Sequence, residues 1–548
     1  MKIPAGITLF CLINLFQTFA QSPSSLPTVK SPVFKTDTLT ITTFGAVADG
    51  LTLNTNAINK AIDQCSRSGG GVVLVPRGLW LTGPIVLKSN VNLRLNRDAL
   101  VQFTDQRDVY PLVQTTWEGE EAIRNQAPVS GTDLENVAIT GEGILDGAGD
   151  AWRMVKKSKL TADHWKKLVA SGGVINQKQD IWYPSAQSLK GAEMTIRAGQ
   201  PMSYYSDIKD FLRPNMLSLT RCKRILLEGV TFQNSPAWCL HPLLCEDITL
   251  RNVTAKNPWY AQNGDGLDLE SCRNGLIENC LFDVGDDGIC IKSGRDEQGR
   301  KRGVPTENIV VRGCRVYHAH GGFVIGSEMS GGVKNLYVSN CTFMGTDVGL
   351  RFKTARGRGG IVENVFVDGI DMTSIAGEAI LFDMYYAAKD PVPQHGENND
   401  LPEIPAQPLS EGTPQFRSFQ IRNVTCKGAE TGILIRGLPE MAIKDILIEN
   451  AVLQSNKGMV CIEADGIRLK NVTLLTPTGT AGQPPVVQIQ NSRNVTIDNL
   501  RYSTNTALLM RVSGSRSKAI HLLNTDTSHS KKASETSAEV PANALTMK

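Results

Sequence analysis

The chain has 548 residues, of which 41% are hydrophobic and 20% are charged, so it can bury a large core. Its 57 Lys and Arg residues nearly balance its 54 Asp and Glu residues, which gives a formal net charge of +3 at pH 7. So small a net charge excludes a general attraction to nucleic acid or to a membrane surface, and an acidic ligand must be met by local basic residues.

Residues 1–20 are predicted to be a signal peptide. Lys2 precedes an apolar run from Ile7 to Phe16, and the small residue Ala20 follows just before Gln21. The run is too short to cross a bilayer as a helix, and no later segment is long enough either. We therefore expect a secreted or periplasmic protein without a membrane span.

Residues 21–130 are predicted to form an N-terminal cap region. Within it, residues 53–65 carry apolar side chains at helical spacing behind Asn and Thr residues that can cap a helix. A stack of repeats exposes its apolar core at both ends and needs caps there. We expect this helix to cover the N-terminal end of the repeats that follow.

One pattern recurs from residue 134 to 502 with a spacing of roughly 21 to 34 residues, which is the range of solenoid proteins. Each repeat alternates apolar and polar residues, as in Asp247–Val253, and then reaches Asn or Gly. Both residue types tolerate a left-handed backbone, which predicts a turn. The turn column is Gly229, Asn252, Asn279, Gly313, Asn340, Gly369, Asn423, Asn450, Asn471 and Asn499. In the next column, Cys280, Cys314 and Cys341 alternate with aliphatic residues, which predicts buried thiols and not disulfides.

A second short strand follows in each repeat, as in Gly288–Ile291 and Gly349–Phe352. Short strands, regular turns and few helices predict an all-β fold, a parallel β-helix over residues 131–526. A leucine-rich repeat is excluded by its missing leucine and asparagine spacing, and a propeller would need a longer period. Residues 146–217, rich in Trp and Tyr, and the Pro-rich residues 391–414 are predicted insertions. Residues 527–548, rich in Ser, Lys and Ala, are expected to be a disordered tail.

The second strands predict an acidic cluster on one outer face. Their apolar residues point inward, so the polar neighbours point outward on coils about 4.8 Å apart. These neighbours are Asp265, Asp268, Asp287, Lys292, Arg351 and Lys353, with Asp286 and His320 where two strands begin. Crowded carboxylates have divergent pKa values, so one acid and one base can coexist, as glycoside hydrolysis requires. A solvated or Ca²⁺-binding acidic patch is the alternative, but the adjacent basic pair suits a sugar carboxylate.

At these residues the sequence resembles glycoside hydrolase family 28, the polygalacturonases, over about residues 40 to 510. The family's motifs correspond to Asn263-Gly264-Asp265, Gly285-Asp286-Asp287, Ala319-His320-Gly321 and Arg351-Phe352-Lys353. Ala319 stands where the family has a glycine, so the third match is incomplete. The run from Gly321 to Gly332 is more similar to the exo-acting bacterial branch than to the fungal endo enzymes.

The resemblance implies a right-handed parallel β-helix and hydrolysis with inversion at the anomeric carbon. It implies that Asp286 is the general acid, that Asp265 and Asp287 hold and activate water, and that His320 tunes the acid. Arg351 and Lys353 would bind the galacturonate carboxylate, and Asn263, Asp268 and Lys292 complete the expected substrate-binding set. No metal and no cofactor are implied.

We therefore predict an exo-acting hydrolase of α-1,4 galacturonosyl bonds that releases galacturonate from pectin, galacturonan or their oligosaccharides. A monomer is expected, with no nucleic-acid partner. The aromatic insertion at 146–217 could close one end of the cleft, or its rings could pack locally. Three alternatives stay open, namely a rhamnogalacturonan-oligosaccharide galacturonidase, a Ca²⁺-dependent pectate lyase and a non-catalytic pectin-binding solenoid.

Overall fold

The structure, a computed structural model, describes residues 26–386, 404–478 and 482–548. The predicted signal peptide and residues 391–403 of the second predicted insertion lie outside these ranges. Nearly all the strands belong to one parallel assembly, in which each strand pairs with its equivalents one coil earlier and one coil later. Connections between parallel strands of one sheet are right-handed. The predicted parallel β-helix is confirmed.

The N-terminal part contains the helix α1, Thr55–Arg67, and eleven strands. The strands are β1 Thr38–Thr40, β2 Gly71–Val75, β3 Gly78–Thr82, β4 Ile85–Val86, β5 Val91–Leu95, β6 Ala99–Phe103, β7 Leu112–Trp117, β8 Glu120–Asn125, β9 Val129–Thr132, β10 Glu135–Gly141 and β11 Ile144–Asp146. Ile58, Ala61, Ile62 and Cys65 of α1 are buried in the common core, so α1 is the predicted capping helix. Strands β7 and β8 form an antiparallel hairpin outside the coils.

The solenoid begins before residue 131, so the prediction of a cap region over residues 21–130 is wrong. Strand β2 pairs in parallel with β5, and β5 pairs with β10, so these residues already form coils. The repeat was hidden because Val75 and Leu95 occupy, on these first coils, the position that Gly141 and Gly229 occupy on the next ones. Aliphatic residues at this position interrupt the Asn/Gly column by which the repeat is recognised.

The insertion at residues 146–217 has its own small elements. They are β12 Val155–Lys156, α2 Ala162–Ala170, β13 Val174–Ile175, β14 Ile181–Tyr183, α3 Ala186–Ala192 and α4 Met202–Ser206. Trp165 and Trp182 pack on Val155 in one cluster, while Tyr205 packs in another. Trp152 is buried edge-on against Tyr110, with ring centroids 5.3 Å apart. The structure thus favours local packing as the role of these rings.

The central coils carry α5, Asp296–Arg302, and seventeen strands. The strands are β15 Leu217–Thr220, β16 Lys223–Glu228, β17 Thr231–Gln233, β18 Leu240–Leu243, β19 Glu246–Arg251, β20 Thr254–Lys256, β21 Leu267–Glu270, β22 Arg273–Glu278, β23 Leu281–Asp283, β24 Ile289–Lys292, β25 Thr306–Arg312, β26 Arg315–Tyr317, β27 Gly321–Ile325, β28 Val333–Met344, β29 Val348–Lys353, β30 Ile361–Thr373 and β31 Glu378–Asp383. Their inward residues form one continuous apolar core.

The C-terminal coils contain ten strands. They are β32 Gln415–Arg436, β33 Ile443–Ile462, β34 Ala464–Leu475, β35 Val487–Gln490, β36 Arg493–Asp498, β37 Arg501–Tyr502, β38 Thr506–Ser513, β39 Lys518–Leu523, β40 Ser530–Thr536 and β41 Leu545–Met547. Short 3₁₀ helices occur at Ile41–Phe44, Arg107–Val109, Gly149–Ala151, Lys157–Lys159, Lys209–Phe211 and Thr527–His529. No helix in the described ranges is both long enough and apolar enough to span a membrane.

The expectation of a disordered tail over residues 527–548 is wrong. Strand β40 pairs in parallel with β38, and β41 pairs with β39, so the tail forms a last coil. A strand at the edge of a sheet forms its backbone hydrogen bonds whatever its side chains are. Charged side chains on such a strand prevent another strand from pairing with its open edge. The polar composition of this segment is therefore that of an edge strand, while Leu545 and Met547 pack on the core.

The Asn/Gly column is a turn, as predicted. Every member has a positive φ, from 53° at Asn252, Asn340 and Asn471 to 77° at Gly229. The amides also form a ladder along the solenoid, since Asn450 Nδ2 donates to Asn423 Oδ1 and Asn471 Nδ2 donates to Asn450 Oδ1. The cysteine prediction is confirmed as well, because all eleven described cysteines are buried and free.

Asn450→Ala is expected to lower the free energy of unfolding by about 1–2 kcal/mol, because it removes both ladder bonds and leaves alanine in a left-handed backbone. Chemical unfolding measures this change. Asn505→Ala is the matched control, because Asn505 also has a positive φ (61°) but its amide has no hydrogen-bond partner among the described residues. An equal loss in both variants would show that the ladder itself contributes nothing.

Candidate active site

Parallel register brings the predicted site residues together on one outer face. Strands β15, β18, β21, β24, β27 and β29 pair in succession. Leu267 pairs with Ile289, so Asp265 and Asp287, each two residues earlier, occupy the same place on neighbouring coils, as predicted. The apolar residues of these strands point inward and are fully buried. The polar residues that alternate with them must therefore point outward.

Asp265, Asp286 and Asp287 form a compact group. Each places one carboxylate oxygen within 4.8 Å of the others. Asp265 and Asp287 are almost fully buried, whereas the side chain of Asp286 is 22% exposed and is therefore the member that faces the cleft. Two of the three carboxyls are therefore buried and one is accessible to solvent, so chemically identical groups lie in different environments.

Asp287 is held in its ionised form. Lys353 Nζ lies 2.8 Å from Asp287 Oδ2, and a terminal nitrogen of Arg351 lies 3.1 Å from Oδ1. Burial opposes ionisation, but the charges of Lys353 and Arg351 outweigh it and lower the pKa of Asp287. The predicted substrate-binding pair thus already neutralises a carboxylate, while the buried Arg351 Nε keeps no hydrogen-bond partner.

Asp265 and Asp268 have the opposite character. Burial, followed by neighbouring aspartates, raises the pKa of Asp265 well above its ordinary value. Burial also raises the pKa of Asp268, against the opposing charge of Lys292, whose Nζ lies 3.5 Å from Asp268 Oδ1. Both oxygens of Asp268 and one of Asp265 have no hydrogen-bond partner within the part of the chain that the structure describes. Asp265 and Asp268 therefore favour the protonated form more than an ordinary aspartate does, whereas Asp287 favours the ionised form.

Asp286 is hydrogen-bonded to His320. The Nδ1 atom of His320 lies 3.1 Å from Asp286 Oδ1, and the backbone N–H of His320 donates to the carbonyl of Asp286. The hydrogen bond to Asp286 raises the pKa of His320, although burial opposes it. Because histidine ordinarily titrates near pH 6.5, this shift extends the protonated form of His320 to higher pH than in a free histidine. The contact agrees with the predicted partnership of the two residues.

Lys292 and Asp268 lie in the floor of the site. Lys292 is 4% exposed, donates to Glu328 Oε2 at 2.8 Å and lies 4.8 Å from the ring centroid of Trp238. Burial opposes ionisation of Glu328, but Lys292 lowers the pKa of Glu328 to about 2. Neither Lys292 nor Asp268 reaches the surface of the cleft, so their contact with substrate stays a prediction.

Arg213 positions the loop of Asn263 and was not foreseen from the sequence. Its guanidinium donates to the carbonyls of Pro236 and Gln262 and to Asn263 Oδ1 at 2.8 Å. Burial, followed by a nearby arginine, lowers the pKa of Arg213 to about 10. The loop that carries Asp265 is thereby clamped, and Asn263 is engaged by protein. Arg213 lies in the insertion, outside the repeat register, so no periodicity marks it.

Trp238 and Tyr386 also border the site without a signal in the sequence. Trp238 precedes β18 and packs on His241, and the ring of Tyr386 lies 4.7 Å from Lys353 Nζ. Aromatic rings at these places cover the two buried lysines and supply apolar walls. Both residues follow no repeating pattern, which is why sequence reasoning missed them.

The three aspartates could also hold a cation by their spacing. Lys353 and Arg351 already satisfy Asp287, and Lys292 lies beside Asp268, so positive charge is built into the site. A divalent ion would have to compete with these cations for the same oxygens. The donor set therefore fits proton transfer better than metal binding.

Comparison with known proteins agrees with this chemistry. The model of the family "Glycosyl hydrolases family 28" matches residues 203–404. A probable polygalacturonase of Vitis vinifera is 28% identical over 434 residues, which cover 77% of this chain and 77% of that one. An exo-poly-alpha-D-galacturonosidase of Dickeya chrysanthemi is 27% identical over 412 residues, which cover 73% of this chain and 64% of that one.

Solved structures agree on the fold, and one of them also shows the family. The polygalacturonase of Erwinia carotovora, at 22% identity and a TM-score of 0.54, supports the fold alone. An exopolygalacturonase from Thermotoga maritima is 33% identical, with a TM-score of 0.63, over 81% of this chain and 93% of that one. With the family model matched across all the site motifs, this identity shows that the chain is a glycoside hydrolase of family 28.

Proposed function

We propose that this chain is an exported polygalacturonase that removes galacturonate from chain ends with inversion. The observation that carries the proposal is the pairing of a buried, ionised Asp287 with the accessible, histidine-bonded Asp286, beside the basic residues Arg351 and Lys353. The relatives named for polygalacturonase activity support galacturonan as the substrate class. The neighbouring basic side chains suit the carboxylate of each sugar.

In the proposed reaction, Asp286 donates its proton to the oxygen of the leaving sugar. Asp287, which is ionised, takes a proton from the attacking water, and Asp265 orients that water through its own protonated carboxyl. The protonated His320 stabilises the carboxylate that remains on Asp286. Net charge is conserved within the site, because one aspartate gains the proton that the other gives to the product.

Inversion is the part of the proposal that rests on the family resemblance. Inverting acid–base pairs usually stand about 6.5–9.5 Å apart, whereas these aspartates approach within 4.8 Å of one another. We propose that the water lies between Asp265 and Asp287, on the side away from the leaving oxygen. Proton NMR of the first product settles the point, since an α anomer at early times would mean retention and contradict the proposal.

The product profile from polygalacturonate, with and without a chelator, tests the hydrolytic reaction and the exo mode of attack. We expect saturated monogalacturonate from the first minutes, unaffected by chelator and absent with Asp286→Asn. A spread of saturated oligomers would replace exo by endo attack. Unsaturated, chelator-sensitive products would mean a lyase, binding without products would mean a lectin-like solenoid, and no reaction would direct the same assay to rhamnogalacturonan oligosaccharides.

The expected pH dependence of kcat/KM follows from two opposite pKa shifts, one that is lowered and one that is raised. Asp287 has a lowered pKa, so the base stays ionised and activity should persist down to about pH 4. His320 has a raised pKa, so activity should decline only as the pH rises through that value, above about 6.5. A pH–rate profile of wild type and His320→Asn checks this. An alkaline limb that is unchanged in the variant would remove His320 from the assignment.

Export is proposed from the N-terminal sequence alone. Cleavage after Ala20 would leave Gln21 as the first residue of the mature protein. N-terminal sequencing of the protein recovered outside the cytoplasm tests it, and an intact Met1 there would contradict it. We also propose a monomer, which sedimentation of the purified protein checks.

A further inference from the structure

A second cavity lies on the same face as the aspartates, toward the N-terminal end of the solenoid. Its volume is about 660 Å³, within the range of pockets that enclose small ligands. Ser130 and Ser218 form part of its floor, and the β7–β8 hairpin forms its roof. Ser218 pairs with His241, which lies one coil before Asp268. With coils about 4.8 Å apart, the floor begins about 10 Å from Asp268.

The hairpin is fixed across the face of the solenoid at its tip. Arg295 pairs with Glu118 at 3.2 Å, and Gln298 Oε1 accepts from the backbone N–H of Glu121 at 2.9 Å. Trp117 stacks on Trp238, with ring centroids 6.0 Å apart and planes 12° from parallel. Because Trp238 also covers Lys292, one wall of the cavity continues directly into the aspartate site.

Arg124 on β8 is a buried cation without a counter-ion. The residue is 6% exposed, and its guanidinium lies 3.5 Å from the ring centroid of Trp117. In the described ranges the guanidinium makes no ion pair and no hydrogen bond, and its Nε is buried. Other arginines of the cavity are engaged, since Arg302 pairs with Glu270 and Arg221 pairs with Asp133.

Neutral polar atoms of the cavity are unpartnered too. Asn215 Oδ1 and Thr116 Oγ1 are buried in its lining, and neither forms a hydrogen bond with a described residue. Buried polar atoms are normally paired, so a group of unpaired ones around a cavity indicates that a polar ligand completes them. The combination of a lone guanidinium, acceptor groups and a flat indole suits an acidic sugar, whose carboxylate, hydroxyls and ring face need these three partners.

We propose that this roofed cavity receives the terminal galacturonate of the substrate and that Arg124 binds its carboxylate. The inference rests on the proposed galacturonan hydrolysis and adds the residue that recognises the chain end. It also refines the product, because a terminal sugar held about 10 Å from Asp268 leaves room for a further sugar before the cleaved bond, so the first product would be a short saturated oligomer of fixed length. The hairpin and its anchors, and not the aromatic insertion, close the cleft beyond this sugar. Burial, followed by the charge of Arg213, lowers the pKa of Arg124, which agrees with a site that lacks its anion.

The test compares wild type, Arg124→Met and Arg97→Met on trigalacturonate and on an analogue whose non-reducing terminal carboxyl is reduced to a hydroxymethyl group. Loss of a charge-assisted hydrogen bond should raise KM of Arg124→Met on trigalacturonate by about 10- to 100-fold, with kcat within about threefold. Wild type should disfavour the neutral-ended analogue by a similar factor, and Arg124→Met should not. Arg97→Met, which removes an exposed ion pair with Glu142 outside the cavity, should change KM less than about twofold.

An Arg124→Met enzyme that keeps the wild-type KM, or that still discriminates between the two substrates, would overturn the inference. Misfolding is excluded by a circular dichroism spectrum and an unfolding midpoint close to those of wild type, because the variant loses only the cation–π contact with Trp117. Calorimetric titration with free galacturonate measures binding in the cavity without any hydrolysis. If wild type binds galacturonate through Arg124 but hydrolyses neither substrate, the proposed function fails while the site stands. If wild type hydrolyses but Arg124→Met binds equally well, only the site fails.

Discussion

Replacing Asp287 with asparagine is expected to abolish measurable hydrolysis and to lower the free energy of unfolding by about 3–5 kcal/mol. The carboxylate is 1% exposed and is the shared partner of Lys353 at 2.8 Å and Arg351 at 3.1 Å. Without it two adjacent cations stay buried with no counter-charge, and the attacking water loses the base that we propose for it. Urea unfolding at pH 7 and initial rates on polygalacturonate measure the two losses.

The stability loss has a defined pH dependence. Burial opposes the ionisation of Asp287 and Lys353 favours it, and the net effect lowers the pKa of Asp287. Asp287 therefore stabilises the fold fully at any pH above the pKa of an unfolded aspartate, about 3.9. That contribution is lost as the pH falls through the lower, folded pKa. The difference between wild type and variant should therefore be complete at pH 7 and shrink below about pH 4.

A second substitution separates stability from catalysis. Asp287→Asn combined with Lys353→Met removes one unpaired cation and should recover part of the lost stability without recovering activity. If the single variant is as stable as wild type, the pairing seen at this site contributes no net energy. If the single variant keeps activity, Asp287 is not the base.

Asp286→Asn is expected to lower kcat on trigalacturonate by about 10²- to 10⁴-fold, the usual contribution of a general acid. Stability should change by less than about 1 kcal/mol, because both Asp286 and His320 are partly exposed and an amide can still accept from the imidazole. Circular dichroism and chemical unfolding check the fold, and initial rates check the activity.

The leaving group distinguishes Asp286 from Asp265 as the acid. A 4-nitrophenyl galacturonide needs little protonation of its leaving oxygen, so Asp286→Asn should lose far less activity on it than on trigalacturonate. Asp265→Asn, whose parent carboxyl has the raised pKa, should lose similar amounts on both substrates. The reverse pattern would make Asp265 the acid and Asp286 its accessible partner.

The acidic face could be predicted because it follows from alternation. Once Leu267 and Leu269 are assigned inward, Asp268 must point outward, and the coil spacing brings Asp287 beside Asp265. Burial could not be predicted in the same way. Asp268 is inaccessible because Trp238, from the preceding coil, lies over the neighbouring Lys292, and alternation does not encode what covers a strand.

Residues outside the repeat register were missed for the same reason. Arg213 lies in the insertion and Arg124 in the hairpin, and their positions depend on packing between segments distant in the chain. The first coils were misassigned because Val75 and Leu95 stand in the Asn/Gly turn column. The last coil was misassigned because polar residues form its edge strand. Periodicity identifies the stacked middle of a solenoid better than its ends.

The buried thiols bear on how long the molecule would last outside the cytoplasm, if it is exported as proposed. All eleven described cysteines are enclosed in the folded coils and unbridged, so an oxidant reaches them only when coils separate. In an oxidising compartment, a chain that opens would form mismatched bridges and would not close again. The working lifetime of the enzyme would then be governed by the rate of its first opening, as kinetic persistence, and not by an equilibrium between folded and unfolded chains.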